Sequence, residues 1–183
     1  MPMGHSFHRH PGAVAGTVAG MLAAGCSAQT PATPPPPPPP AVANANGVDM
    51  CTILSGPELT ALGVQLNTRK QFNQGGVVGC RWQGKSFTLS LERDNDTLTG
   101  YRAHRQEPNI INFMDNTVNG RAGAHFGVVP NGSQCAQLID GGSVALSVSV
   151  AVPANVTPPP VDPCGQALRI AQMIEPRLPK AAR

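Results

Sequence analysis

Apolar and polar residues alternate most cleanly from Ser86 to Glu92, where Phe87, Leu89 and Leu91 fall between Ser86, Thr88, Ser90 and Glu92. A period of two puts one side of a strand in a core and leaves the other side polar. The pattern returns near the C-terminus. Gln134 to Asp140 and Ser143 to Val152 read as two strands joined across Gly141-Gly142, a pair that tolerates the positive φ of a two-residue hairpin. In the second of these strands Val144, Leu146, Val148, Val150 and Val152 share one face, while Ser143, Ala145, Ser147, Ser149 and Ala151 share the other. Gly79-Cys80-Arg81-Trp82 leads through Gln83-Gly84 into the first run and reads as a further strand.

Helical spacing takes over elsewhere. Ser55-Gly56-Pro57-Glu58 sets a capping serine three residues ahead of a glutamate, before Leu59 and Leu62, and Gly63 stops the turn. Asp94 to Thr97 supplies capping side chains for a helix carrying Leu98, Tyr101 and then His104 or Arg105, up to Pro108. Asp162 caps a last helix with Pro163 in its first turn, and Cys164, Leu168, Ala171 and Ile174 recur along it. Ile110, Ile111, Phe113 and Met114 form a patch too short to separate strand from packed loop. Alternating strands with helices at both ends predict the α+β class: an antiparallel β-sheet with helices packed on one face.

Ahead of these elements the chain offers nothing to a core. Pro11 to Gly25 is uncharged and apolar in character, yet shorter than the ~20 residues a membrane-spanning helix needs, so it reads as the hydrophobic part of a signal peptide. Leu22-Ala23-Ala24-Gly25-Cys26 closes it in the manner of a bacterial lipobox, with small residues before a cysteine that becomes the acylated N-terminus. No charge occurs from Ser27 to Val48, and seven consecutive prolines, Pro34 to Pro40, lie within that stretch. In polyproline II they hold roughly 20 Å of semi-rigid spacer. The expected organisation is a signal peptide over 1–25, a Pro-rich linker over 26–48 and one extracytoplasmic domain over 49–183. Ordinary signal cleavage with secretion is the alternative to a lipid anchor.

The formal charge is +3, and from Asp49 onward 12 Lys and Arg stand against 10 Asp and Glu. A dispersed, nearly balanced set with one Trp and one Tyr argues against nucleic acid as a partner and against aromatic stacking on sugars. Five cysteines are present. With Cys26 taken by lipid, Cys51, Cys80, Cys135 and Cys164 form an even set, which in an exported domain reads as two disulfides. Cys51 and Cys164 flank the terminal helices and Cys80 and Cys135 sit in strands, so the expected pairs are Cys51 with Cys164 and Cys80 with Cys135. Zinc binding needs close pairs such as C-x-x-C, whereas these cysteines stand about thirty or more residues apart.

The order of motifs carries a resemblance. A lipobox, a Pro-rich linker, Cys51 before Leu54-Ser55-x-x-Glu58-Leu59, Gly79-Cys80-x-Trp82, Asn119-Gly120-Arg121-Ala122-Gly123-Ala124, Cys135 and Asp162-Pro163-Cys164-x-x-Ala167 follow one another. From about residue 49 to about residue 180 this resembles the uncharacterised actinobacterial lipoproteins of the mycobacterial Lpp and Lpr kind, whose shared domain has no known function. The resemblance implies a place in the cell envelope and brings no catalytic residues with it.

The sequence contains no G-x-S-x-G elbow, no H-E-x-x-H and no glycine-rich phosphate loop. Asp94-Asn95-Asp96-Thr97 opens like a calcium loop but lacks the glycine at position six and the glutamate at position twelve, where Arg105 falls, so helix capping accounts for it. No cofactor and no metal site is expected. Arg93, Arg102 and Arg105 are near enough in sequence to meet an anionic headgroup or phosphate, although a solvated helix face is the better account of them. His104 and His125 would point to an enzyme if they met an acid in one cleft. The reading is a non-catalytic envelope lipoprotein, held to the membrane through Cys26, that binds a protein or lipid partner. Ser143, Ser147 and Ser149 are its candidate binding face, because the opposite Val and Leu face must pack beneath helices. An unrecognised envelope enzyme is the alternative.

Overall fold

Seven strands form one antiparallel sheet: β1 Lys70–Gln74, β2 Val77–Gln83, β3 Thr88–Asp94, β4 Ile111–Val118, β5 Arg121–Gly127, β6 Gln134–Asp140 and β7 Ala145–Ala151. Their spatial order is β1-β2-β3-β7-β6-β5-β4, so β3 and β7 run through the middle. The computed structural model describes residues 44–155 and 159–180; Cys26, the lipobox and the proline run lie outside the described residues.

Short turns build the two outer hairpins. Gly75 and Gly76 (φ 62° and 88°) join β1 to β2, and Asn119 and Gly120 (φ 50° and 88°) join β4 to β5. Positive φ at both central residues is what a two-residue type I′ turn requires, and Asn-Gly and Gly-Gly adopt it at least cost. The third hairpin departs from the pattern read in the sequence. Asp140 pairs with Ala145, so the loop spans Gly141–Val144 and Ser143 sits in it rather than in β7. The N-terminal segment explains the longer loop. Ala45 N–H donates to Gly141 O at 2.8 Å, and Ala45 is fully buried, so the packed region takes in residues ahead of Asp49.

One face of the sheet is the main core. Trp82, Leu89, Leu91, Ile139, Leu146, Val148 and Val150 pack there against α1 (Gly56–Ala61) and α3 (Pro163–Ile174). Glu58 of α1 accepts from the Ser55 N–H at 2.8 Å, as the capping sequence predicts. Asp162 caps α3, accepting from the Cys164 and Gly165 N–H groups at 3.1 and 3.0 Å. The buried stripe of α3 is Ala167, Ile170, Ala171 and Ile174, while Leu168 is half-buried. That stripe follows the i, i+3, i+4, i+7 rule and puts two alanines against the strands, letting the helix lie close.

The class is α+β, with an antiparallel sheet and two disulfides, and α1 and α3 share the core face. The short α2 (Leu98–Ala103) differs. It lies on the other face, where Leu98 packs with Ala124, Phe126, Ala136, Leu138 and Ala145. It ends well before Pro108, with His104 and Arg105 exposed, so of the expected stripe only Leu98 and Tyr101 reach the core. Ile111, Phe113 and Met114 fall in the bulged start of β4, with Asn112 at φ 52°, and Ile110 is buried just ahead of it.

The disulfide pairing overturns the expected one. Cys51 bonds Cys80 and Cys135 bonds Cys164, each pair 29 residues apart in sequence. The sheet order gives the reason. Between β2, which holds Cys80, and β6, which holds Cys135, lie β3 and β7. Three strand spacings of about 4.8 Å place them roughly 14 Å apart. A disulfide bridges Cα atoms no more than about 7 Å apart. Each strand cysteine instead faces the nearest segment over the core: Cys80 meets the chain entering α1, and Cys135 meets the first turn of α3.

Two arginines tie the helical layer down. Arg177 bonds Glu58 and the Ile53 carbonyl, joining the end of the helical layer to its beginning. The Arg177 guanidinium, and after it Ser55, hold the Glu58 carboxyl down to about 2. That stabilisation is complete above the ordinary carboxylate range and is lost as pH falls through about 2. Arg121, one residue past the Asn119-Gly120 turn, reaches Glu175 at 3.1 Å and the carbonyls of Asp140 and Pro179 at 3.2 and 2.7 Å.

Candidate functional site

The second face of the sheet is only half covered. Over β4, β5 and β6 it is apolar, closed by Leu98, Tyr101, Ile110 and Phe113. Over β1, β2, β3 and β7 no described helix lies on it, and the exposed floor is polar. Register sets this floor out in rows. Arg81 stands opposite Ser90, Ser90 opposite Ser149, and Ser149 opposite Ala136. In the next row Gly79, Glu92, Ser147 and Leu138 stand side by side. Directly opposed residues point to the same side of a sheet, so these side chains share one surface.

Two cavities open on that surface. One of about 280 Å³ is lined by Arg81, Gln83, Thr88, Ser90, Gln134, Ser149 and Ala151. The other, about 450 Å³, runs out to the edge strand between Lys70, Gln71, Phe72, Gln74, Val77 and Arg81. Ser90, Ser147 and Ser149 are buried at the bottom. Buried hydroxyls on a central floor are not what packing of a core calls for, since apolar side chains would bury area without needing partners.

Tyr101 marks where α2 meets the open half. Its hydroxyl donates to Asp94 Oδ2 at 2.6 Å, and its ring lies 5.8 Å from that of Phe126. Burial first, then the hydrogen bond to Asp94, pushes the phenol above its ordinary range. Glu92 lies two residues before Asp94 on the same side of β3. Burial, the largest cause, raises its carboxyl above the ordinary range, with Arg81 opposing and Asp94 adding. The ionised carboxylate therefore weakens the fold at neutral pH, and protonation on the acid side relieves it. Titratable groups perturbed in this way collect in functional clefts.

The three serines singled out from sequence part company. Ser147 and Ser149 lie on the floor, as the alternation predicts, with Leu146, Val148 and Val150 on the core side. Ser143 does not join them, since its hydroxyl donates to Asn44 Oδ1 at 2.7 Å in the hairpin loop. The arginine cluster does not form either. Arg93 points to the core side and bonds Asn46, Arg102 pairs with Asp115 at 2.7 Å, and Arg105 is exposed. His104 is 3.6 Å from Asp96 beside α2, whereas His125, 3.3 Å from Asn116, is on the opposite face. The calcium-like stretch is engaged in turn and cap bonds: Asp94 accepts from Asp96 N–H at 2.9 Å, Asp96 accepts from Thr97 N–H at 2.7 Å, and Thr97 accepts from Gly100 N–H at 3.0 Å. Among the described residues no group of three or more His, Cys, Asp or Glu is placed to hold a metal ion, and no helix is long and apolar enough to cross a membrane.

Sequence reasoning missed Arg81, Glu92, Phe72, Gln83 and Gln134. Glu92 was in phase with the polar side of its strand, and that phase was the available signal. Arg81 comes beside it through the short β2–β3 hairpin, whereas what brings Gln134 and Ser149 to the same floor is the β3–β7 pairing across a long connection, which local pattern does not encode.

Fold and floor define an α+β domain clasped by two disulfides, with one helix-covered core face and one half-open polar face. The chain belongs to a family described as "Protein of unknown function (DUF3558)", whose model matches residues 21–177. No curated protein and no solved structure matches it.

Proposed function

We propose that the protein is an envelope lipoprotein of the actinobacterial Lpp/Lpr type, anchored outside the cell membrane through acylated Cys26 and a proline spacer. Its domain is a non-catalytic binding module for a protein or lipid partner. The sequence of the lipobox supports the anchor, and the family match, which begins at Met21, takes in Cys26 and the linker together with the domain. One acyl chain binds a bilayer only marginally, whereas the several carried by a lipoprotein cysteine hold it stably.

The observation that carries the binding role is the polar floor of Ser90, Glu92, Ser147 and Ser149 at the centre of the sheet, with a cavity lined by Ser90 and Ser149, left open while α1 and α3 cover the opposite face. Ser149 is the residue to alter, because it lines the cavity, while Ser147 is wedged beside fully buried Leu138. Ser149→Trp should fill the cavity and leave the thermal midpoint nearly unchanged. Val148→Trp, one residue away but in the core, should fail to fold by overpacking. Native mass spectrometry of the lipidated protein, gently extracted, should show a bound species in the wild type that Ser149→Trp lacks. Equal occupancy in a folded Ser149→Trp would remove the floor from consideration.

A further inference from the structure

The Arg81 side chain is held on two sides. Its Nε donates to Ser90 Oγ at 3.0 Å, and its guanidinium lies over the Phe72 ring, 5.6 Å from the centroid. Those contacts fix the plane of the guanidinium and use one of its five N–H donors. Among the described residues, the terminal nitrogens meet no acceptor. They stand where the two cavities of the floor adjoin, since Arg81 lines both.

A second observation concerns charge. Lys70 of β1 is directly opposite Arg81 in the β1–β2 ladder, on the same face, so two cations stand there against one carboxyl, that of Glu92 in the row alongside. Like charges in that position repel and destabilise a sheet. An anion seated between them relieves the repulsion, and a planar, pre-oriented guanidinium is the side chain best shaped to grip two oxygens of one carboxylate or phosphate. The third observation is the lining of the smaller cavity, which beside Arg81 is made of the hydroxyls and amides of Gln83, Thr88, Ser90, Gln134 and Ser149. Such a wall matches ligand hydroxyls rather than hydrocarbon.

We infer that Arg81 is the anion-holding residue of this floor and that its ligand is a hydroxylated small molecule bearing one carboxylate or phosphate. The oxyanion rests on the terminal nitrogens of Arg81, and the hydroxyls reach Ser90, Ser149 and the two glutamines. This rests on the reading of the open half-sheet as the binding surface. The same chemistry occurs in a free sugar acid or polyol phosphate and in the headgroup of an anionic lipid.

Isothermal titration of the detergent-solubilised full chain tests it with four probes: glucuronate, glycerol 3-phosphate, and neutral glucose and glycerol. At least one anionic probe should bind in the millimolar range or tighter, and the neutral pair should not. Arg81→Met should weaken that binding by about tenfold or more, and Arg81→Lys, which keeps the charge and loses the fork, should also weaken it. Arg105→Met, at an exposed site, should leave it unchanged. Thermal midpoints of the variants verify that they are folded. Flotation of a Cys26→Ala full chain, which carries no acyl anchor, with phosphatidylglycerol vesicles against phosphatidylcholine vesicles, again with and without Arg81→Met, assigns the source: Arg81-dependent binding to the first alone identifies a headgroup, and its absence beside a binding soluble probe identifies a free ligand. Equal binding by folded Arg81→Met overturns the inference, as does silence from both anionic probes and the vesicles. Glucose bound as well as glucuronate, with both lost in Ser149→Trp, would end the anion assignment and leave the binding floor standing.

Discussion

Replacing Cys135 and Cys164 together by alanine should lower the unfolding free energy by about 3.5 kcal/mol, because the bridge closes a separation of 29 residues. Removing Cys51 and Cys80 should have a similar effect, since that separation is the same. Alanine is the right replacement here: Cys80 and Cys135 are almost wholly buried, and a serine hydroxyl would be left without a partner. Loss of both bridges, about 7 kcal/mol on the same reckoning, is a large share of the roughly 5–15 kcal/mol that native proteins ordinarily have. Urea unfolding of oxidised wild type and the paired variants measures the effect. Non-reducing peptide mapping checks the topology beneath it, and should return Cys51 linked to Cys80 and Cys135 linked to Cys164. A peptide joining Cys80 to Cys135 would contradict the strand order.

Arg121→Met should destabilise the fold by about 3–5 kcal/mol, the range for removing one partner of a buried ion pair. The Arg121 and Glu175 side chains are only 10 % and 14 % exposed, so Glu175 would be left charged with little water around it. Two carbonyls, Asp140 O and Pro179 O, would lose a donor as well. Glu175→Met alone strands the guanidinium but leaves it both carbonyls, so its effect should be smaller. The double variant should be less damaging than the sum of the singles, because neither charge is then left alone. Urea unfolding of the four proteins closes the cycle; strictly additive singles would show that the pair is not coupled.

The two arginines that matter most were hidden in different ways. Arg121 belongs to Asn119-Gly120-Arg121-Ala122-Gly123-Ala124, a motif visible in the chain. The structure explains it as a hairpin turn, a clamp on the end of α3, and a Gly123 whose place leaves no room for a side chain, since a Cβ there would stand 2.6 Å from Leu138 O. The Asn-Gly pair was a legible hairpin signal. The partner of Arg121 was not, because it lies 54 residues away. Local features came through well for the same reason. The Ser55 and Asp162 caps, the alternation in β3 and β7 and the even set of cysteines depend on near neighbours. Disulfide pairing failed because it depends on strand order, and strand order here sets β7 between β3 and β6. The candidate site was half legible on similar grounds. Ser147 and Ser149 followed from period two within one strand, whereas the floor they belong to is drawn from β2, β3, β6 and β7.

Photo-crosslinking in living cells separates the two faces. A benzophenone side chain placed at Gln83, exposed on the rim of the open floor, should form an adduct whose mass identifies the bound species. The same group at Gln172, exposed on the outer side of α3, should form none. Adducts from Gln172 with none from Gln83 would put recognition on the helical face and contradict the assignment of the half-open sheet as the binding surface.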